Sequence, residues 1–187
     1  MKDKNKIFLD YIDDWMTQIS SFSNNNLTYQ NNLEIAIFKI YVKVEQLVID
    51  YVKHYINNGT DSNNHYLERK MVFDYDELTN FLKKLNKKFL SIDDISDIYQ
   101  FLFKDKDKFD NLFQDSNMAT SLRELKFIRN YIAHESDASK NSYITNVLQN
   151  KNFIEPGLFL TQKRNNSTIT NFEFYIVNLK NIPSFLD

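Results

Sequence analysis

The chain has 187 residues, a formal net charge of −2 at pH 7 and a sequence pI near 5.9. No overall basic field therefore holds nucleic acid, and any RNA contact has to be local. Cysteine is absent, which excludes disulfides and thiolate chemistry, and only 2 Gly and 2 Pro argue against a turn-rich β-sandwich and leave no Gly-rich phosphate loop.

A hydrophobic content of 42% is enough for one sizeable domain, residues 1–187. The opening Met1–Lys6 leads into too few apolar residues for a signal-peptide core, and no apolar run reaches membrane-spanning length. A cytoplasmic protein with no membrane partner is expected. Asn and Lys are abundant and Arg is scarce, so each Arg carries more information than a Lys.

In chain order, residues 4–20 predict an amphipathic helix with Ile7, Phe8, Tyr11, Ile12, Trp15 and Ile19 on one side. The Asn-rich stretch 20–32 reads as a surface loop. Residues 33–57 predict the longest and most buried helix, with Lys39, Lys43, Gln46, Asp50 and Lys53 as a narrow solvent stripe. Glu45 lies roughly 120° from the middle of that stripe, among Phe38, Tyr41, Val48 and Val52. A carboxylate there needs a partner or a route to water; one reading pairs it with Arg129 or Asn130. Glu34, at the start of the same helix, reads as an ordinary surface carboxylate. His54, near the polar stripe, and His65, in the loop 57–64 region, read as surface residues.

Asp74-x-x-Glu77 and Ser91-x-x-Asp94 predict caps for helices near 75–89 and 92–104. Lys83, Lys84, Lys87 and Lys88 form a basic cluster, better read as a solvated face than as an RNA contact. A short helix over 107–113 comes next. Ser136-Asp137 caps a helix running to about Gln149. Glu155-Pro156-Gly157-Leu158 predicts a type II turn. Thr170-x-x-Glu173 predicts a capping box for a last helix near 171–181, with a β-hairpin over 158–179 as the alternative.

The most informative segment is 122–135. As a helix it places Met118, Leu122, Leu125, Ile128 and Ile132 on one core-facing side. Ser121-x-x-Glu124 is either a capping box or a pair of polar positions in a helix begun near Asn117. Arg129 sits at the margin of the apolar face, and Arg123, Asn130 and His134 lie on the other side with Phe127 and Tyr131. Aromatics turned away from the core suggest a second protein surface. Three His without Cys, widely separated, lack metal-ligand spacing. Asp13-Asp14 and Asp93-Asp94 read as helix-dipole partners rather than a metal pair.

The run Ile128-Arg129-Asn130-x-x-Ala133-His134, late in an all-helical chain, resembles the signature of the HEPN superfamily over about residues 30–150. The resemblance implies an all-α helical bundle, with 151–187 as a short C-terminal extension. It also implies a homodimer in which two motif helices share one cleft, and a metal-independent endoribonuclease of a toxin–antitoxin or abortive-infection system. On this reading Arg129 and His134 are catalytic and Asn130 and Glu45 support them. Arg123 and Lys126 are candidate RNA contacts, no metal or other cofactor takes part, and an antitoxin protein is a candidate partner. The chemistry suits the residues: the 2′-hydroxyl of RNA is an internal nucleophile, His serves as base or acid and Arg clamps the phosphorane. The alternatives are a non-catalytic dimeric module that binds a nucleotide, RNA or a partner protein, and an antitoxin-like regulator.

Overall fold

Side-chain caps set where most of the helices begin. The computed structural model describes residues 1–22, 26–70, 76, 77, 79, 80, 83, 91–104, 107–164 and 167–187, the side chains of 107–109 excepted. Over these residues the chain is all-α: α1 (Lys2–Ser20), α2 (Leu27–Asn58), α3 (Ile92–Leu102), α4 (Asp107–Gln114), α5 (Ser116–His134), α6 (Asp137–Asn146), α7 (Pro156–Thr161), α8 (Asn171–Lys180) and α9 (Ile182–Leu186). Pairing of β type among the described residues is limited to the isolated bridges Thr60–Tyr66, Arg69–Phe103 and Lys163–Thr170. No helix among them is long and apolar enough to cross a membrane.

Three predicted caps are formed. Ser91 and Asp94 make a reciprocal capping box at α3, and Ser136 accepts from Ser139 N at α6. Thr170 Oγ1 accepts from Glu173 N at 3.2 Å while Glu173 Oε2 accepts from Thr170 N at 2.7 Å, so the last long helix forms in preference to the hairpin. Other expectations need correction. The Asn-rich stretch is not loop throughout: Asn26 Oδ1 accepts from Tyr29 N at 2.7 Å and starts α2 at Leu27. The helix after Ser136 stops at Asn146, ahead of left-handed Gln149 and Asn150. Pro156 and Gly157 open α7 instead of centring a type II turn, because the fixed φ of Pro suits the first turn of a helix equally well. Ile7 is 64% exposed and leaves the predicted apolar side of α1. Asp74, Lys84, Lys87 and Lys88 lie outside the described residues; Lys83 is helical and exposed.

The chain divides into two compact units. The first holds residues 1–8, 43–114 and 181–187. Here α4 packs on α9, and a run of buried rings joins Tyr51, Tyr55, Tyr99 and Phe103 at centroid distances of 5.9, 5.7 and 5.0 Å. The Tyr51 hydroxyl lies 2.9 Å from Asn5 Oδ1 and 2.7 Å from Asp187 Oδ1, and burial pushes its pKa far above the usual tyrosine value. Asp61, buried in the loop after α2, accepts from the backbone N–H groups of Asn63 and His65 and lies 3.1 Å from the exposed His65 ring. His54 is half-buried and bonded to Asn58, not a plain surface residue.

The second unit holds residues 9–42 and 115–180. Within it α5 packs on α6 and α8, and α7 packs on α8. Trp15 meets Tyr11 edge-on at 6.5 Å. Gly157 N donates to Glu34 Oε1 at 2.6 Å, and a Cβ on Gly157 would come within 2.6 Å of Gln30 O. A side chain at 157 would therefore force α7 or α2 to shift.

Candidate active site

Helix α5 begins at Asp115, whose side chain accepts from Met118 N at 2.7 Å. Ser121 and Glu124 are thus interior helix positions, the second of the two sequence readings. Met118, Leu122, Leu125 and Ile128 are buried, as their spacing predicts, and Ile132 is half-buried. The helix ends abruptly. Glu135 turns left-handed at φ 45°, its N–H donating to Tyr131 O at 2.8 Å, and Ser136 caps α6 directly after it.

The motif, Ile128–His134, occupies about the last two turns before this corner. His134 is the final helical residue and is exposed. Arg129 is half-buried; its Nη1 donates to Asn130 Oδ1 at 3.0 Å and its guanidinium lies 5.8 Å from the centre of the Phe38 ring. A five-residue step along a helix is about 7.5 Å of rise and roughly 140° of rotation. Arg129 and His134 therefore reach one phosphate only by converging around the helix. Arg123 is exposed and Lys126 half-buried. Glu45 is half-buried on α2 and belongs to the first unit, whereas Arg129 and Asn130 belong to the second.

Tyr131 corrects the reasoning about a second protein surface. Its ring stacks on Tyr143 of α6 at 5.6 Å and 5°, and Phe153 meets it edge-on at 5.6 Å. The tight corner at Glu135 folds α6 back onto α5, so this aromatic is covered by its own chain. Burial raises the Tyr131 pKa, followed by the charges of Glu155, Glu135 and Glu34. The carboxyl of Glu34 is itself raised, by burial first and by Glu155 and Glu135, against the lowering effect of its bond from Gly157 N. Glu34 is therefore an engaged carboxylate at the first turn of α7, not the ordinary surface group its sequence position suggests. Three acidic residues act on the end of α5 that carries His134.

A second polar constellation escaped the sequence reading. Glu124, buried on α5, accepts through Oε2 from Arg164 Nη1 at 2.8 Å and from the Tyr175 hydroxyl at 2.7 Å. Arg164 Nη1 also lies 3.4 Å from Asn171 Oδ1, and its guanidinium rests 4.4 Å from the centre of the Phe174 ring. Burial alone would lower the Arg164 pKa, but the bond and charge of Glu124 leave it raised. Burial and Glu124 together hold the Tyr175 hydroxyl far above its usual value, so it stays protonated and donates. The signal was present: Glu124 lies in register with Ser121, Leu125 and Ile128, the same argument that singled out Glu45. Arg164 is one of four arginines in a lysine-rich chain.

Among the described residues, no cluster of three or more His, Asp or Glu is placed to hold a metal ion. The sequence matches no protein-family model, and no curated protein and no solved structure is significantly similar to it.

Proposed function

We propose that the chain is a metal-independent endoribonuclease of HEPN type, working as a homodimer in a toxin–antitoxin or phage-defence system. The observation that carries the reading is the exposed imidazole of His134 at the end of α5, on the same helix as an arginine whose guanidinium is held by its neighbour Asn130. In the reaction, one His134 takes the proton of the ribose 2′-hydroxyl as that oxygen attacks the adjacent phosphorus. Arg129 stabilises the charge that builds on the phosphorane oxygens. The P–O5′ bond breaks, and His134 of the second copy protonates the departing 5′-oxygen. The products are a 2′,3′-cyclic phosphate and a 5′-hydroxyl, with no external nucleophile. Asn130 and Glu45 are supporting residues, Arg123 and Lys126 are the RNA contacts, and an antitoxin protein is the expected regulator.

The second reading is a non-catalytic dimeric module. It is favoured by Glu34, Glu135 and Glu155, whose charges act on Tyr131 near the motif and oppose a polyanion. Purified protein with end-labelled RNA separates the two. Cleavage is expected to persist in EDTA, to stop on 2′-O-methyl RNA, and to fall about 10²- to 10⁴-fold in His134→Ala and Arg129→Ala, with His65→Ala unchanged. Cleavage that survives His134→Ala, or that needs Mg²⁺, sinks the mechanism. Light scattering that finds only monomer at tens of micromolar sinks the shared cleft.

A further inference from the structure

A half-enclosed cavity of about 170 Å³ opens on the second unit, with Glu124 and Arg164 in its lining, Leu148 and Phe159 as apolar wall, and Lys151 and Lys163 among the residues around it. We propose that it is a guanine-nucleotide subsite, with the base inside and the phosphate at the two lysines.

The polar groups are fixed before any ligand arrives. Arg164 is clamped by Glu124 and Asn171 on one side and by the Phe174 ring on its face. Both of these hydrogen bonds leave from Nη1, and the guanidinium has further N–H donors at Nη2 and Nε. Glu124 accepts from both Arg164 and Tyr175 through Oε2, and its second carboxylate oxygen, Oε1, remains as an acceptor. A carboxylate only accepts and a guanidinium only donates. Guanine alone among the bases presents two donors and an acceptor side by side on one edge: its N1–H and N2–H donate to the carboxylate, and its O6 accepts from the adjoining guanidinium.

Size and charge agree. Sites that enclose drug-sized ligands run to roughly 300–1,000 Å³, so 170 Å³ takes a base and leaves sugar and phosphate outside. Glu124 and Arg164 cancel each other, which suits a neutral base, and the exposed Lys151 and Lys163 supply the positive charge a phosphate needs. The backbone at both lysines is paired within the chain. Lys151 follows left-handed Gln149 and Asn150, its N–H donating to Leu148 O at 3.1 Å, and Lys163 bridges Thr170.

The nucleotide is either free or one residue of an RNA strand; only in the second case does the subsite rest on the cleavage reading. Titration of the full-length His134→Ala protein tests the site without cleavage. GMP is expected to bind about tenfold or more tightly than IMP, which lacks the N2 amine, and than AMP, CMP or UMP. The Lys151→Ala/Lys163→Ala variant is expected to weaken GMP and leave guanosine unchanged, as base-in, phosphate-out orientation requires. Glu124→Gln is expected to abolish the preference for GMP over IMP, with its fold checked by circular dichroism. Equal binding of all the nucleotides, competition by inorganic phosphate as strong as by GMP, or no GMP binding at millimolar concentration overturns the proposal. A 2′-O-methyl tetranucleotide with one guanine that binds more tightly than GMP assigns the site to RNA; equal binding assigns it to the free nucleotide. Wild-type protein that cleaves RNA but binds no GMP removes the subsite and leaves the nuclease. GMP binding without any cleavage does the reverse.

Discussion

Replacing Glu124 with alanine removes the shared acceptor of Arg164 and Tyr175. Breaking a buried ion pair from one side costs about 3–5 kcal/mol, and a buried hydroxyl left without its acceptor about 1–3 kcal/mol. The pair keeps some water, since the two side chains are 17% and 10% exposed, and the deleted side chain leaves room for more. A net loss of about 3 kcal/mol is expected, which for a chain of this size lowers Tm by roughly 6–12 °C. Arg164→Ala is expected to cost less, about 2 kcal/mol, because Glu124 retains the Tyr175 hydroxyl. The double variant should fall short of the sum by about 1–2 kcal/mol, and Glu124→Gln should lie between parent and alanine. Urea unfolding at pH 7, followed by circular dichroism, measures all four. Single losses within about 0.5 kcal/mol, the usual range for surface substitutions, or strict additivity, would refute the view that these side chains form one buried unit.

Gly157→Ala places a methyl within 2.6 Å of the Gln30 carbonyl oxygen. Overpacking costs about 1–3 kcal/mol and the better helix propensity of alanine returns up to about 1 kcal/mol, so a lower urea midpoint is expected; a higher one would show that α7 yields freely. Glu34 has a raised pKa in the folded chain. Its contribution to stability is therefore full below the unfolded carboxyl value and is lost as pH rises through the folded one. Glu34→Gln is expected to melt above the parent at pH 8, the gap closing as pH falls below about 4.3. A variant that melts lower at pH 8 would mean that the charged bond from Gly157 N outweighs burial.

Much of this fold was legible because local signals and periodicity agree. The i, i+3, i+4 pattern of Met118, Leu122, Leu125 and Ile128 located the buried face of α5, and Ser91, Ser136 and Thr170 marked helix starts through their own oxygens. Misreadings arose where one residue type serves two geometries. Asn26 is as good a cap as a loop residue, and Pro156 starts a helix as readily as a turn. The exposed His134 could be placed from the motif helix alone. The Glu124 network could not, because Arg164 and Tyr175 lie 40 and 51 residues away along the chain. No local pattern links such partners: the register of Glu124 with Leu125 and Ile128 marks a carboxylate on the buried face, but not what it pairs with. Glu34 was misjudged for the same reason: its partner is a backbone N–H 123 residues later.

The distribution of rings also gives the chain two optical reporters. The sole tryptophan, Trp15, belongs to the second unit, so emission excited at its red edge follows that unit. Near-ultraviolet dichroism draws on immobilised rings of both units, Tyr51, Tyr55, Tyr99 and Phe103 in the first and Tyr131, Tyr143 and Phe153 in the second, and so follows the two together. Coincident denaturation curves from the two signals mean one cooperative transition; separated curves mean that each unit carries its own free energy. The energetic comparisons above can thus be assigned to the correct half of the molecule without introducing a label.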